Sequence, residues 1–280
     1  MSQVGNAQIV SFTDIDLERA HLLASRVPGA AAFSDWRSDA LWAGLDLVVV
    51  ATPNAHLATI TTEALTRGKH VLVEKPAARS LDDLASAISA RKSSSALARV
   101  GFNHRYHPAV LQMRKLISEG AIGPLMYLRA VYGHGGRLGY EHEWRADPKI
   151  SGGGELIDQG VHLIDLARVL LGEFVSIEGH AQTSFWNMPV DDNAFLILRT
   201  ESGQTAALHA SCSEWKNQFV LEVYGRTGKL RIDGLGGSYG KECLTFYRML
   251  PEMGPPEITR WEYDAPDRSW ETEFVEFLED

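Results

Sequence analysis

Apolar residues in the first hundred positions fall into short runs, separated by stretches with helical spacing. Residues 9–13 read as a strand ending at Asp14, and 16–27 as a helix. Residues 45–51 form a continuous apolar run, the pattern of a parallel strand covered on both faces. Thr52, Pro53 and Asn54 end that run, and a helix follows over about 56–67, opening at His56. The next strand is 70–73, with Glu74, Lys75 and Pro76 at its carboxyl end; a helix over 80–91 and a strand over 98–102 complete the series. Strands alternating with helices predict a parallel α/β sheet. Ligands of such sheets bind beyond the carboxyl ends of the strands, where Asp14, Pro53, Lys75 and Asn103 fall.

The pattern then changes. A helix over 108–119 and a strand over 125–132 lead into a polar loop, 133–149, carrying His134, Arg137, Tyr140, His142, Trp144 and Arg145. A glycine-rich approach, Gly152-Gly153-Gly154, runs into a helix reaching about Leu171. Beyond Phe174 most segments read as strands: 175–182, 194–200, 205–211, 219–224, 229–233, 244–249 and 259–263. Gly225-Arg226-Thr227-Gly228 has the composition of a hairpin turn. Few intervening helices predict a large, mainly antiparallel open sheet, one face on helices and the other free to meet a partner. The fold class is therefore α/β, with a parallel-sheet domain over 1–105 and an α+β domain over 106–280. Residues 269–280 read as an amphipathic helix cut short at the chain's end.

Asp158 and His162 stand four residues apart on the predicted helix, so they project from one face, with Asp165 on roughly the same side. Leu156, Leu163, Leu166, Ala167 and Leu170 form the apolar stripe that would seat it. A carboxylate and an imidazole on a buried helix are costly unless paired or used. Asp158 either caps the helix or holds His162 in a core hydrogen bond, or else forms an acid–base pair with it; this stretch alone does not choose. Lys75 beside Glu74 is either a surface ion pair or a cation held near a hydroxyl or a cofactor. Arg105, His107 and Arg145 suit anions or sugar hydroxyls, and equally a solvated surface. Trp144 and Trp186 suit stacking on a sugar, or packing.

Composition narrows the field. The net charge of -9 over 280 residues argues against a general nucleic-acid binder. No run approaches the length of a membrane span, and the amino terminus lacks a basic region before an apolar one; a cytoplasmic location is expected. Cys212 and Cys243 are expected to be free thiols. Asp158, His162 and Asp165 lack the supporting spacing of a metal site, so no metal is expected. Ser151 lies outside any Gly-x-Ser-x-Gly elbow.

Three motifs occur in register: Glu74-Lys75-Pro76 after a buried strand, Gly101-Phe102-Asn103-x-Arg105 after the next, and Asp158-x-Gly-x-His162-x-x-Asp165 on a later helix. Together they resemble the Gfo/Idh/MocA oxidoreductase family, from about Ile9 onward. The resemblance implies a dinucleotide-binding domain followed by a substrate domain that joins subunits into homodimers or homotetramers through its sheet. It implies hydride transfer between NAD or NADP and a hydroxyl or keto carbon of a sugar, cyclitol or nucleotide sugar. Lys75, Asp158 and His162 match the catalytic residues, and the Lys75–Pro76 bond is expected to be cis. Asp14 matches the ribose-binding acid, which favours NAD over NADP. Thr52, Pro53, Asn54, His56, Glu74, Pro76 and Asn103 match the cofactor cleft. Arg105, Trp144 and Arg145 are the candidate substrate contacts.

One family feature is absent. No Gly-x-Gly-x-x-Gly precedes Asp14, and Gly5 is the sole glycine ahead of Gly29. The strand that carries this loop belongs in the middle of the sheet, so the strands expected to flank it are left without a shared partner. Two alternatives follow: a fragment of an intact enzyme, or a shortened sugar-binding or scaffold protein with impaired dinucleotide binding.

Overall fold

The computed structural model describes residues 7–264 and 266–280; Gly5 lies outside them. The chain divides into two compact units, Met1–Thr52 with His56–Gly101 and Glu271–Asp280, and Pro53–Ala55 with Phe102–Trp270. The division after Gly101 falls just ahead of the anticipated boundary at 105. The last residues, anticipated in the second domain, belong to the first unit. The reason is burial: the closing helix sets Phe274 and Phe277 against Leu72.

The first unit follows the strand–helix alternation: β1 (Ser11–Thr13), α1 (Leu17–Ala24), β2 (Ala31–Phe33), α2 (Asp39–Trp42), β3 (Leu47–Val50), α3 (Asn54–Thr66), β4 (His70–Glu74), α4 (Leu81–Ser93) and β5 (Ala98–Gly101). Side-chain caps start two of its helices: Asp16 accepts the amides of Glu18 and Arg19 at α1, and Ser80 accepts that of Asp83 at α4. The parallel sheet is in two pieces, β1-β2 and β3-β4-β5. Among the described residues β1 and β3 share no ladder, as expected of strands lacking a common neighbour. The cost shows in exposure. Val49 on β3 is 37% exposed, whereas Val71 and Val73 on the central strand β4 are buried. β2 was not anticipated; its three residues, Ala31–Phe33, are too short to show a period.

The second unit contains α5 (Pro108–Ser118), β6 (Leu125–Gly133), α6 (Pro148–Ser151), α7 (Val161–Leu171), β7 (Phe174–Gln182), β8 (Asn193–Thr200), β9 (Thr205–Ser211), β10 (Gln218–Gly225), β11 (Gly228–Asp233), β12 (Glu242–Arg248) and β13 (Glu257–Tyr263). The eight strands form one sheet in the order β13-β12-β11-β10-β6-β9-β8-β7. Every pair is antiparallel except β6 with β9. Tyr224 pairs with Lys229 around the hairpin read at Gly225–Gly228. The last helix of the chain, α8 (Ser269–Glu279), begins at the edge of this unit.

Alternation sorts the sheet into two faces. Leu128, Ala130, Leu208, Phe219, Leu221 and Ile232 point to one side and join Val110 and Met113 of α5 and Leu163 and Leu166 of α7 in the main core. Each such large side chain contributes about 1.5–3 kcal/mol on burial. The other face is polar and aromatic. Tyr127 stacks on Tyr224 and Phe195 on His209, and Glu222 binds Arg129, Lys229 and Arg231. Burial opposes ionisation of Glu222, but the Lys229 and Arg129 bonds and charges win and hold its carboxyl below its ordinary value.

Candidate active site

The glycine-rich stretch is shaped by a close crossing. Gly152 ends α6 with φ of 83°, a conformation that favours glycine. At Gly154 a Cβ would lie 1.8 Å from the backbone oxygen of Asp191, so no side chain fits there. Asp191 then ties the turn down. Its carboxylate accepts from the amides of Gly154 (2.9 Å) and Leu156 (2.7 Å), and its carbonyl accepts from Glu155 (2.9 Å). The chain leaves this anchor as a π-helical turn, Leu156–Gly160, before α7 begins. Regular α spacing had been anticipated through Asp158. The wider turn replaces it, a form often found at functional sites.

Asp158 projects from the π turn and accepts from Nε of Arg145 at 3.1 Å. Arg145 also lies over the Trp144 ring, 4.6 Å from its centre. Glu143 approaches Arg145 and binds Arg137 at 2.7 Å. The polar loop thus brings a guanidinium to the carboxylate. His162, on the first turn of α7, is buried. Its ring stacks on His104 with centres 3.7 Å apart, and meets the edges of Phe102 and Tyr132. Tyr132 is buried against Tyr239; burial, then that neighbour, pushes its phenol well above its ordinary value.

Asp165 is nearly fully buried and accepts from Nε of Arg105 at 2.7 Å and from a second guanidinium nitrogen. Arg105, named as a substrate candidate, has its guanidinium engaged in holding α7. Asn103 is buried, donating to Ser269 at 2.9 Å with His104 beside its carbonyl oxygen. Asn54 donates to the carbonyl of Ser151 at 2.8 Å, immediately before the glycines.

The remaining candidates lie in the first unit. Glu74 ends β4, and the Lys75–Pro76 peptide is cis, as anticipated. Thr52 follows β3 with a buried hydroxyl oxygen that has no partner among the described residues, and His56 lies on α3. Asp14 follows β1; its carboxylate accepts the Asp16 amide at 2.9 Å and pairs with Arg19 at 3.3 Å. All stand at or just beyond carboxyl ends of parallel strands. Among the described residues no group of three His, Cys, Asp or Glu is placed to hold a metal ion, and no helix is long and apolar enough to cross a membrane.

Residues 1–102 match the oxidoreductase family with an NAD-binding Rossmann fold, and residues 110–231 match the GFO/IDH/MocA C-terminal domain. The chain belongs to the Gfo/Idh/MocA family. Relatives in this family include levoglucosan dehydrogenase of Pseudarthrobacter phenanthrenivorans, 30% identical over 70% of this chain and 57% of its own length. The scyllo-inositol 2-dehydrogenase (NAD(+)) of Bacillus subtilis is 30% identical over 69% of this chain and 56% of its own. The chain spans little more than half the length of these curated relatives. A solved levoglucosan dehydrogenase in complex with NADH and levoglucosan superposes with a TM-score of 0.84 and 25% identity, over 95% of this chain and 79% of that one.

Within this family member, three groups escaped the motif reading. Asp191 anchors the turn carrying Asp158 from 33 positions beyond it. Glu155 lies buried between the two, and Tyr132 faces His162 from β6. None stands in a motif, and only the Gly154 crossing explains why Asp191 is needed.

Proposed function

We propose that this protein is an NAD-dependent oxidoreductase, transferring a hydride between a nicotinamide cofactor and a hydroxyl or keto carbon of a sugar, cyclitol or nucleotide sugar. One observation carries the reading: Asp158 lies on a turn locked by Asp191 and bonded to Arg145, and His162 follows it four residues on, at the start of α7. The sugar and inositol activities named for the relatives support it.

The candidates for holding NAD are Asp14 for the adenosine ribose, and Thr52, Pro53, Asn54, His56, Glu74, Lys75 and Pro76 at the strand ends. The buried Thr52 hydroxyl, which has no partner among the described residues, fits a polar ligand there. The Asp14 carboxylate favours NAD over NADP. Bound NAD supplies a hydride acceptor. The chain's own residues manage the proton. His162 takes the hydroxyl proton as general base, a role worth about 10²–10⁴ in rate. Asp158, oriented by Arg145, accepts a hydrogen bond from His162 or from a neighbouring substrate hydroxyl. Lys75 lowers the cost of negative charge on the reacting oxygen. Trp144 and Arg145 contact the substrate, while Arg105 serves through Asp165. The polar open face, with Phe195, Ile197 and Ile258 exposed on it, joins copies into a homodimer or homotetramer.

A second reading is a sugar-binding or scaffold protein with weak dinucleotide binding. Titration of the chain with NADH, followed by nicotinamide fluorescence, separates the two. Saturable binding at micromolar NADH supports the oxidoreductase; no saturation at millimolar NADH supports the second reading.

A further inference from the structure

Glu155 is 1% exposed, yet the groups around it carry its own sign or none. Asp158 faces it from the π turn, and Asp191 from the segment before β8. The Cys212 thiol faces it from the end of β9, and the Tyr132 and Tyr239 phenols from β6 and the 234–241 loop. The polar loop contributes two groups. The hydroxyl of Tyr140 donates to Oε1 at 2.8 Å, and Nε2 of His134 lies 3.7 Å from the same oxygen. Nδ1 of His134 accepts the Gly136 amide at 3.0 Å, which leaves its hydrogen on Nε2, toward Glu155. Burial lowers the His134 pKa, so this ring is a neutral donor. The loop's cations are engaged elsewhere: Arg137 by Glu143, and Arg145 by Asp158 and Glu143. Oε2 has no partner of hydrogen-bonding geometry among the described residues.

A carboxylate in this position would be buried without a cation beside two other carboxylates. The neutral acid costs far less. Burial, followed by the charge on Asp158, pushes Glu155 up to about 8.

We propose that Glu155 is a positioning residue that works as a neutral acid: with Tyr140 and His134 it latches the polar loop to the turn carrying Asp158, and its ionisation sets a further charge against Asp158. The inference deepens the oxidoreductase reading and rests on it for the role of Asp158. In the latched state Arg145, on the same loop, is held where it meets Asp158. Ionisation places a second negative charge beside Asp158, which opposes negative charge developing on a substrate oxygen.

Infrared difference spectroscopy on the full chain tests this without cofactor or substrate. Between about pH 6 and about pH 10 the wild type should lose one protonated-carboxyl C=O band, with a midpoint near 8. Glu155→Gln, which keeps a neutral acceptor, should lack that band and retain the wild-type tryptophan emission near neutrality, read through Trp186, whose ring lies tilted against Tyr140. Glu155→Ala should alter that emission. No carboxyl band in the wild type near pH 6, or emission in Glu155→Gln displaced as far as in Glu155→Ala, overturns the proposal. In turnover, Glu155→Gln should keep kcat and KM within about twofold near neutrality and lose the alkaline fall in kcat. An alkaline fall that persists in Glu155→Gln overturns the role given to its ionisation. Absence of turnover in every variant refutes the oxidoreductase reading instead, and leaves the infrared result standing.

Discussion

Gly154→Ala should be among the most damaging single substitutions in this chain. The added methyl would lie 1.8 Å from the Asp191 carbonyl oxygen, where ordinary contact begins near 3.4 Å. The two backbones must therefore part by about 1.6 Å, the difference between those separations. That shift takes three bonds out of range: the Gly154 and Leu156 amides on the Asp191 carboxylate and the Glu155 amide on its carbonyl. Bonds to a charged acceptor contribute about 1.5–3 kcal/mol and a neutral one about 1 kcal/mol, so the loss is about 4–7 kcal/mol. For a chain of this size that lowers Tm by about 10–20 °C. Thermal unfolding followed by circular dichroism measures it, with Gly254→Ala as the control, since nothing lies within 4 Å of that position. A Gly154→Ala protein melting within about 2 °C of wild type would refute the crossing as the anchor of the turn.

Three other outcomes follow from the burial of charged groups. Glu155 has a raised folded value near 8, so the folded state holds a proton that the unfolded chain has released. Wild-type stability relative to Glu155→Gln should fall by about 1.4 kcal/mol per pH unit from about pH 4.3 upward, flattening above 8; urea titrations across pH read the slope. Asp192 behaves oppositely. Burial opposes its ionisation, but the Asn193 side chain and the amides of Phe185, Ser184 and Trp186 hold its carboxyl below its ordinary value. Its contribution is present above about pH 3.9 and lost as pH falls through the folded value, and Asp192→Asn should flatten that acid limb. Both cysteines are buried, and burial, then the charge of Glu155, raises the Cys212 thiol. A thiol reagent should modify neither in the folded protein and both after unfolding.

The sequence made some features legible and hid others for physical reasons. Continuous apolar runs such as that of β3 announce a parallel sheet, because burial on both faces leaves no polar position. The Gly225–Gly228 hairpin was readable from local chemistry, and the Lys75–Pro76 cis bond was expected from the family resemblance. So was the split sheet, because the strand meant to join β1 and β3 carries a glycine signature that this sequence does not show. Long-range pairings were not readable. Arg105 finds Asp165 across 60 positions, and α8 sets Phe274 on Leu72 although its amphipathic pattern names no partner. Asp158 and His162 were legible as a pair. Their α spacing was not a safe inference, because the Asp191 crossing widens the turn that carries Asp158.

The most direct test of the proposed chemistry is NAD reduction by a panel of anhydrosugars, inositols and aldoses, comparing wild type with His162→Asn. His162→Asn leaves a side chain near the His104 ring but removes the general base. The rate with any accepted substrate should drop by about 10²–10⁴, with NADH binding unchanged. A His162→Asn protein that oxidises the same substrate at the wild-type rate would contradict the acid–base role of this turn.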